Sequence, residues 1–129
     1  MVDDKQYRAV YYLKSGRKAP AEEYIKKLKD KRSVAQVVAL IDKLLEENGQ
    51  LPFPFAKRVE DKIWELRAHF GGRVFYFVNT GRKIILLEGI TKKADRIPNQ
   101  DLKRIRNYYI DYLATRREKR YDSKLYHKN

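Results

Sequence analysis

From Lys62 to Arg96 the chain reads KIWELRAHFGGRVFYFVNTGRKIILLEGITKKADR, and this stretch restricts the possible folds more than any other. Lys62 to His69 alternates, with Trp64, Leu66 and Ala68 on one side and Glu65, Arg67 and His69 on the other, as a strand requires. Gly71-Gly72 suits a tight hairpin turn, because glycine tolerates positive φ. Arg73 to Val78 alternates again, Val74, Tyr76 and Val78 opposing Arg73, Phe75 and Phe77. Asn79-Thr80-Gly81 makes a second turn, and Lys83 to Thr91 is nearly continuous in apolar residues, the pattern of a strand buried on both faces or central in a sheet. Three consecutive strands with two short turns demand an antiparallel meander.

The rest of the chain reads as packing for that meander. Gln6 to Lys14, rich in Tyr and Val, predicts a first strand closed by Ser15-Gly16. Pro20 followed by Glu22 and Glu23 predicts a helix start, where a missing N–H costs nothing and the dipole favours acids. Tyr24, Ile25 and Leu28 then mark one face of a short helix to about Asp30. Asp30 or Ser33 can cap a second helix, whose Val34, Val37, Val38, Ile41, Leu44 and Leu45 fall at spacings of three and four. Gly49 offers the left-handed stop, and Gln50 to Ala56, with two prolines, predicts an extended connector. After a polar, basic loop from Thr91 to Ile97, Pro98 opens a third helix with Leu102, Ile105, Tyr109, Tyr112 and Leu113 on one face. Beyond Thr115 the periodicity is lost. The expected order is β-α-α-β-β-β-α, a small α+β domain whose helices pack on one face of a mostly antiparallel sheet of about four strands. Residues 1–118 form the domain and residues 119–129 a frayed basic tail.

A chain of 129 residues is one domain by size. It has no apolar run of about eighteen residues and no secretory pattern at its start, which argues against a membrane span or an export signal and for a cytoplasmic protein. The absence of cysteine excludes disulfides, thiolate catalysis and cysteine zinc sites. With two histidines, His69 and His127, a histidine-rich metal site is not expected either. No phosphate-binding glycine loop or nucleophile elbow occurs. Thirty Lys and Arg against seventeen Asp and Glu give a net charge of +13, with about half of the excess beyond Ile90. Such a balance points to a polyanionic partner, nucleic acid or an anionic membrane, and nucleic acid is the reading preferred.

The functional signal is a face. Alternation places Glu65, Arg67 and His69 together on the side away from the helices, and Arg73 joins them if the pleat registers across the GG turn. Lys92 and Lys93 emerge from the end of the following strand. Together they make a candidate phosphate site; the plain alternative is that the arginines only solubilise an open face and pair with Glu65 and Glu88. Lys57, Arg58, Lys62 and Arg96 supply further candidates for nucleic-acid contact.

The combination IWELR (63–67), GGRVFYFV (71–78) and IILLEGITKK (84–93), then Ile97-Pro98 and an amphipathic helix, resembles the RelE/ParE toxin superfamily, and within it the HigB-like, phage-derived toxin group. The likeness covers roughly residues 7 to 114. It implies a RelE-like fold and a type II toxin whose RelE and HigB members cut messenger RNA in the ribosomal decoding site without a metal or other cofactor. In that chemistry a ribose 2′-hydroxyl attacks the adjacent phosphate and leaves a 2′,3′-cyclic phosphate. Basic side chains serve it by stabilising the dianionic phosphorane and the leaving oxygen. Carried over by position, Arg73 stabilises the transition state, Arg67 binds the scissile or neighbouring phosphate, and Lys92 and Lys93 form the basic loop. Glu65, His69 and Glu88 are candidates for acid–base work. The chain departs from RelE in lacking a short tail that bears a tyrosine near the cut phosphate; Tyr108, Tyr109 and Tyr112 lie instead on the last helix. The resemblance also implies a cognate antitoxin, commonly with a helix-turn-helix domain, through which alone the protein reaches operator DNA. Two other readings stand beside it: a ParE-like inhibitor of DNA gyrase, which shares the fold without the basic cluster, and a nucleic-acid-binding module with no chemistry.

Overall fold

The computed structural model describes residues 6–92 and 96–127. Its elements are β1 (Arg8–Tyr12), α1 (Pro20–Lys27), α2 (Lys31–Glu46), β2 (Ala56–Glu60), β3 (Ile63–Arg67), β4 (Gly72–Asn79), β5 (Lys83–Thr91), α3 (Asn99–Thr115) and β6 (Glu118–Arg120), followed by a 3-10 turn at Ser123–Tyr126. The meander forms as its alternation requires: Leu66 faces Val74, Arg67 faces Arg73, and Val78 faces Ile84 across antiparallel ladders. The molecule is therefore a small α+β domain with a mixed sheet and three helices among the described residues.

The sheet is larger than the expected four strands. Its order is β2-β3-β4-β5-β1-β6, with β1 parallel to β5 and every other pair antiparallel. The added edge strand β2 lies at the end of the stretch expected to be a connector. Its Ala-Lys-Arg-Val-Glu sequence hides no alternating apolar face because an edge strand needs little burial, and Lys57 and Arg58 are exposed. At the other edge, β6 and the turn after it occupy the segment expected to fray. Tyr121 is buried there, its ring meeting Tyr11 edge-on and its hydroxyl donating to Asp42, while the Tyr126 and Tyr11 hydroxyls pair at 2.9 Å. Lys119 adds an ion pair to Glu22 at 2.9 Å. Three aromatic side chains and a strand pairing outweigh the loss of helical periodicity as a guide to order.

The helices do not all lie on one face. α1 and α2 cover Ala9, Tyr11, Leu66, Val74, Tyr76, Ile84 and Leu86, whereas Ile105 and Tyr112 of α3 cover Val10, Tyr12, Ile63, Phe75, Phe77, Ile85 and Leu87 from the opposite side. The reason is in the sequence: β4 and β5 are apolar at both parities, so both faces must be removed from water. Phe77 meets Tyr109 and Tyr112 edge-on, with ring centroids 4.7 and 5.7 Å apart. Leu113, expected on the packing stripe of α3, is instead more than a third exposed, and Trp64 and Val78 at the far end of the meander are exposed to a similar extent.

Local signals fix the helix ends. Asp30, not Ser33, caps α2 by accepting from the Arg32 N–H at 2.7 Å. Gly49, at φ +81°, terminates it with its N–H on Leu44 O. Val37, Val38, Ile41 and Leu44 then form the buried stripe.

Candidate nucleic-acid interface

The β3–β4 connection places the arginines. Gly71 takes φ +99°, and a Cβ there would sit 2.5 Å from Lys92 O, so only glycine lets the end of β5 close on the turn. Lys92 N–H donates to Gly71 O at 3.0 Å, which ties the basic end of β5 to the turn. Gly72 lies in the strand, so the loop is Ala68 to Gly71 and not a two-residue GG turn. His69, expected on the strand face beside Arg67, is in this loop and exposed.

Arg67 and Arg73 are directly opposite each other in the ladder, as Glu65 and Phe75 are one step further in. Side chains at these paired positions share one face. Glu65 is 3% exposed and draws three cations: Arg67 Nη1 at 3.9 Å, Arg73 Nε at 3.9 Å and Lys92 Nζ at 3.8 Å. Among the described residues its Oε1 receives no hydrogen bond, and the three cations stand at ion-pair distance from the carboxylate. Arg73 is also buried, and its Nη1 donates at 3.0 Å to both Ala68 O and Gly72 O. It therefore fastens the hairpin loop as well as contributing charge. Arg67 is the more accessible of the two, with its guanidinium 5.2 Å from the centre of the Phe53 ring. Burial lowers the pKa of Lys92; Glu65 opposes the shift, and Arg73, Arg67 and Lys57 reinforce it.

The face is thus divided. Ile63, Phe75 and Phe77 lie beneath α3, while Glu65, Arg67, Arg73 and Lys92 gather at the end nearer the loop. Glu88 belongs to the helix side: Arg104 of α3 donates to it at 3.1 Å, and the Gly89 N–H to its other oxygen at 3.0 Å. A bulge at Leu87 brings Glu88 to this face but leaves it engaged with Arg104, which also pairs with Asp101. The flanking basic residues separate likewise. Lys57 is opposite Glu65 across the β2–β3 ladder, whereas Arg58 and Lys62 line a 740 Å³ groove with Trp64 and Val78 at the other end of β3. Arg96 is exposed. Lys93 lies outside the described residues. The α3 tyrosines are packing groups: Tyr108 lies against Tyr12, Tyr109 against Phe77, and Tyr112 donates to Glu118 at 2.6 Å. No three His, Cys, Asp or Glu side chains among the described residues are grouped to hold a metal ion.

Two residues beside the cluster carried a signal that alternation does not read. In the Leu-Pro-Phe-Pro-Phe run, Phe53 and Phe55 remain 68% and 44% exposed. Two prolines around a phenylalanine in a short connector leave little freedom to fold the rings inward, which is the feature that could have identified them.

A mixed six-stranded sheet with a cationic cluster at one end of its meander defines a small basic α+β domain. The chain belongs to the phage-derived Gp49-like protein family (DUF891), whose pattern matches residues 23–109, from α1 through most of α3. No curated protein matches the chain.

Proposed function

We propose that this protein is the toxin of a type II toxin–antitoxin pair and acts in the cytoplasm as a ribosome-dependent mRNA endoribonuclease of the RelE/HigB kind. The observation that carries the reading is the convergence of Arg67, Arg73 and Lys92 on one buried carboxylate, Glu65. The +13 charge and the phage-derived family agree with it. In this reaction the ribose 2′-hydroxyl gives up its proton to water as its oxygen forms a bond to phosphorus, the bond from phosphorus to the 5′-oxygen breaks, and the 5′-oxygen takes a proton. Arg67, the accessible cation, binds the phosphate. Arg73 and Lys92 neutralise charge developing on the phosphorane. A lysine whose pKa is drawn down by burial is also a better proton donor to the leaving oxygen than an ordinary one. The antitoxin silences the protein by covering this positive end, which an acidic segment would suit.

Purified protein should cut mRNA on translating ribosomes, leaving 2′,3′-cyclic phosphate ends, and spare the same RNA free in solution. Arg67→Ala should remove cleavage and growth arrest upon expression with the fold intact, since Arg67 makes no buried backbone bond comparable to that of Arg73. Retained toxicity in that variant would refute the phosphate-binding role. Intact mRNA together with gyrase inhibition would establish the ParE-like alternative.

A further inference from the structure

Beside the cationic cluster lies a second feature of different chemistry. The connector between α2 and β2 turns sharply, with the Phe55 and Ala56 N–H groups both donating to Pro52 O at 2.9 and 3.2 Å. The base of this turn is fixed to the meander, because Arg67 N–H donates to Phe55 O at 2.9 Å. Phe53 and Phe55 are consequently held out from a braced backbone, and they are among the most exposed large apolar side chains of the described residues. Next to them a pocket of about 430 Å³ is lined by Gln36, Leu40, Phe55, Arg67, His69 and Arg73. One side of the Phe53 ring meets the Arg67 guanidinium, and the ring as a whole stays mostly in water.

Exposed rings cost free energy in water unless something covers them. Here the covering group must also tolerate Arg67 and Arg73 alongside. An unpaired nucleotide meets both demands: its base offers a flat π face to a phenylalanine, and its phosphate offers charge to a guanidinium. An arginine already placed against one ring extends the same stack, since its planar cation also stacks on aromatic faces. His69 and Gln36 bring hydrogen-bonding groups to the pocket wall, of the kind that read base edges. Lys57, exposed next to Glu65 in the ladder, extends the positive path away from the pocket.

We propose that Phe53 and Phe55 form a base-stacking platform that seats an unpaired ribonucleotide of the substrate, with its base in the Gln36–His69 pocket and its phosphate at Arg67. The inference deepens the endoribonuclease reading and rests on it for the identity of the RNA. It assigns the selection of nucleotides near the cut to the connector, apart from the side chains that act on the phosphate.

The test uses the full-length protein and two fluorescent probes at fixed low salt: a short single-stranded oligoribonucleotide, and a ribose-phosphate oligomer of equal length without bases. Wild-type protein is expected to bind the first about tenfold or more tightly than the second, the range that base stacking on one aromatic ring supplies. Phe53→Ala and Phe55→Ala should each reduce that preference, and the double variant should level the two affinities. Both rings are exposed, so the variants should fold, which circular dichroism checks. Phe53→Trp should retain the preference and Phe53→Leu should lose it, because leucine keeps apolar area but not a π face. Equal binding of the two probes by the wild type, or an unchanged preference in Phe53→Leu, would overturn the proposal. So would rings that matter only for holding the antitoxin, which would make the patch a protein contact. Ring-dependent base preference without any cleavage on ribosomes would remove the nuclease and leave the platform standing; cleavage without base preference would do the reverse.

Discussion

Neutralising Glu65 tests whether a single carboxylate assembles the cationic end of the sheet. Glu65→Gln preserves shape and removes the charge that faces Arg67, Arg73 and Lys92 at 3.8–3.9 Å. At that separation and an effective dielectric near 20, each attraction is about 4 kcal/mol before desolvation. Burying the ions takes back several kcal/mol apiece, so the gross attraction is not the net effect. Removing one partner of a buried ionic group costs about 3–5 kcal/mol, since the remaining charges keep their desolvation penalty. The lower end applies here, because the contacts are longer than hydrogen bonds and the Arg67 side chain is 21% exposed. A loss of about 3 kcal/mol in a domain of this size lowers the melting temperature by roughly 10 °C.

Thermal unfolding followed by circular dichroism reads the effect, with Glu60→Gln as the comparison. Glu60 pairs with Arg106 on the surface through two hydrogen bonds of 2.7 and 2.8 Å, shorter than any contact of Glu65, yet it should matter far less because water screens it. If proximity alone set the energetics, the order of the two variants would reverse, and the burial argument would be wrong. RNA affinity separates a further possibility. Losing a negative charge should hold or raise the affinity of Glu65→Gln for a polyanion while cleavage falls, since the cluster gains charge and loses its arrangement. A parallel fall of affinity and cleavage would mean that Glu65 merely keeps the domain folded.

Other parts of the molecule give predictions of their own. Gly89→Ala would put a Cβ 2.1 Å from Tyr24 Cδ2, so it should cost about 1–3 kcal/mol by overpacking, with only part of the loss recovered in the Tyr24→Ala background, whose Cβ stays 2.8 Å away. Additive unfolding free energies in that double-mutant cycle would remove the steric explanation. Tyr121→Ala should cost about 3 kcal/mol by emptying the site between Tyr11 and Asp42, and an unchanged melting curve would mean that the C-terminal segment is not part of the fold. Burial raises the pKa of Tyr11, Tyr12, Tyr76 and Tyr121 above the ordinary 10, and pushes Tyr112 up to about 12 with help from Glu118. A raised folded-state pKa means stability that is fully present below pH 10 and lost as pH rises through the folded values. The absorbance of these five tyrosinates should therefore appear above pH 10 and together with the loss of circular dichroism; their ionisation near pH 10 in folded protein would contradict it.

Much of the scaffold was legible because its signals are local. Alternation in β3 and β4 predicted that Leu66 and Val74 share one face and Arg67 and Arg73 the other, but not their pairing, since a two-residue Gly71-Gly72 turn sets a different register. The Val37–Leu44 stripe, with Asp30 or Ser33 before it and Gly49 after it, predicted α2 almost to its termini. Edge strands were less visible, since β2 and β6 bury too little to need an apolar period and depend on partners far away in the chain. The parallel pairing of β1 with β5 is of the same kind, joining Arg8 to Lys83 across most of the domain.

The candidate site shows why a pleat alone cannot define a surface. Parity gives the side to which Arg67 and Arg73 point, but not what lies over that side. Phe75 and Phe77 share their parity, and two buried phenylalanines beside two arginines already require a cover over part of the face and an opening over the rest. α3 provides the cover and takes Glu88 with it through Arg104. The opening is left to Glu65, Arg67, Arg73 and Lys92, and its rim comes from the Phe53–Phe55 turn, which no strand pattern includes. The change from Phe75 to Arg73 along β4 therefore marks the boundary between packing and site, and moving that boundary should move the function. Arg73→Phe would extend the apolar surface by one pleat and remove the bonds to Ala68 O and Gly72 O. It should leave β4 paired while abolishing RNA cleavage and weakening RNA binding. A variant with its pairing intact and full cleavage would show that the reactive phosphate lies elsewhere.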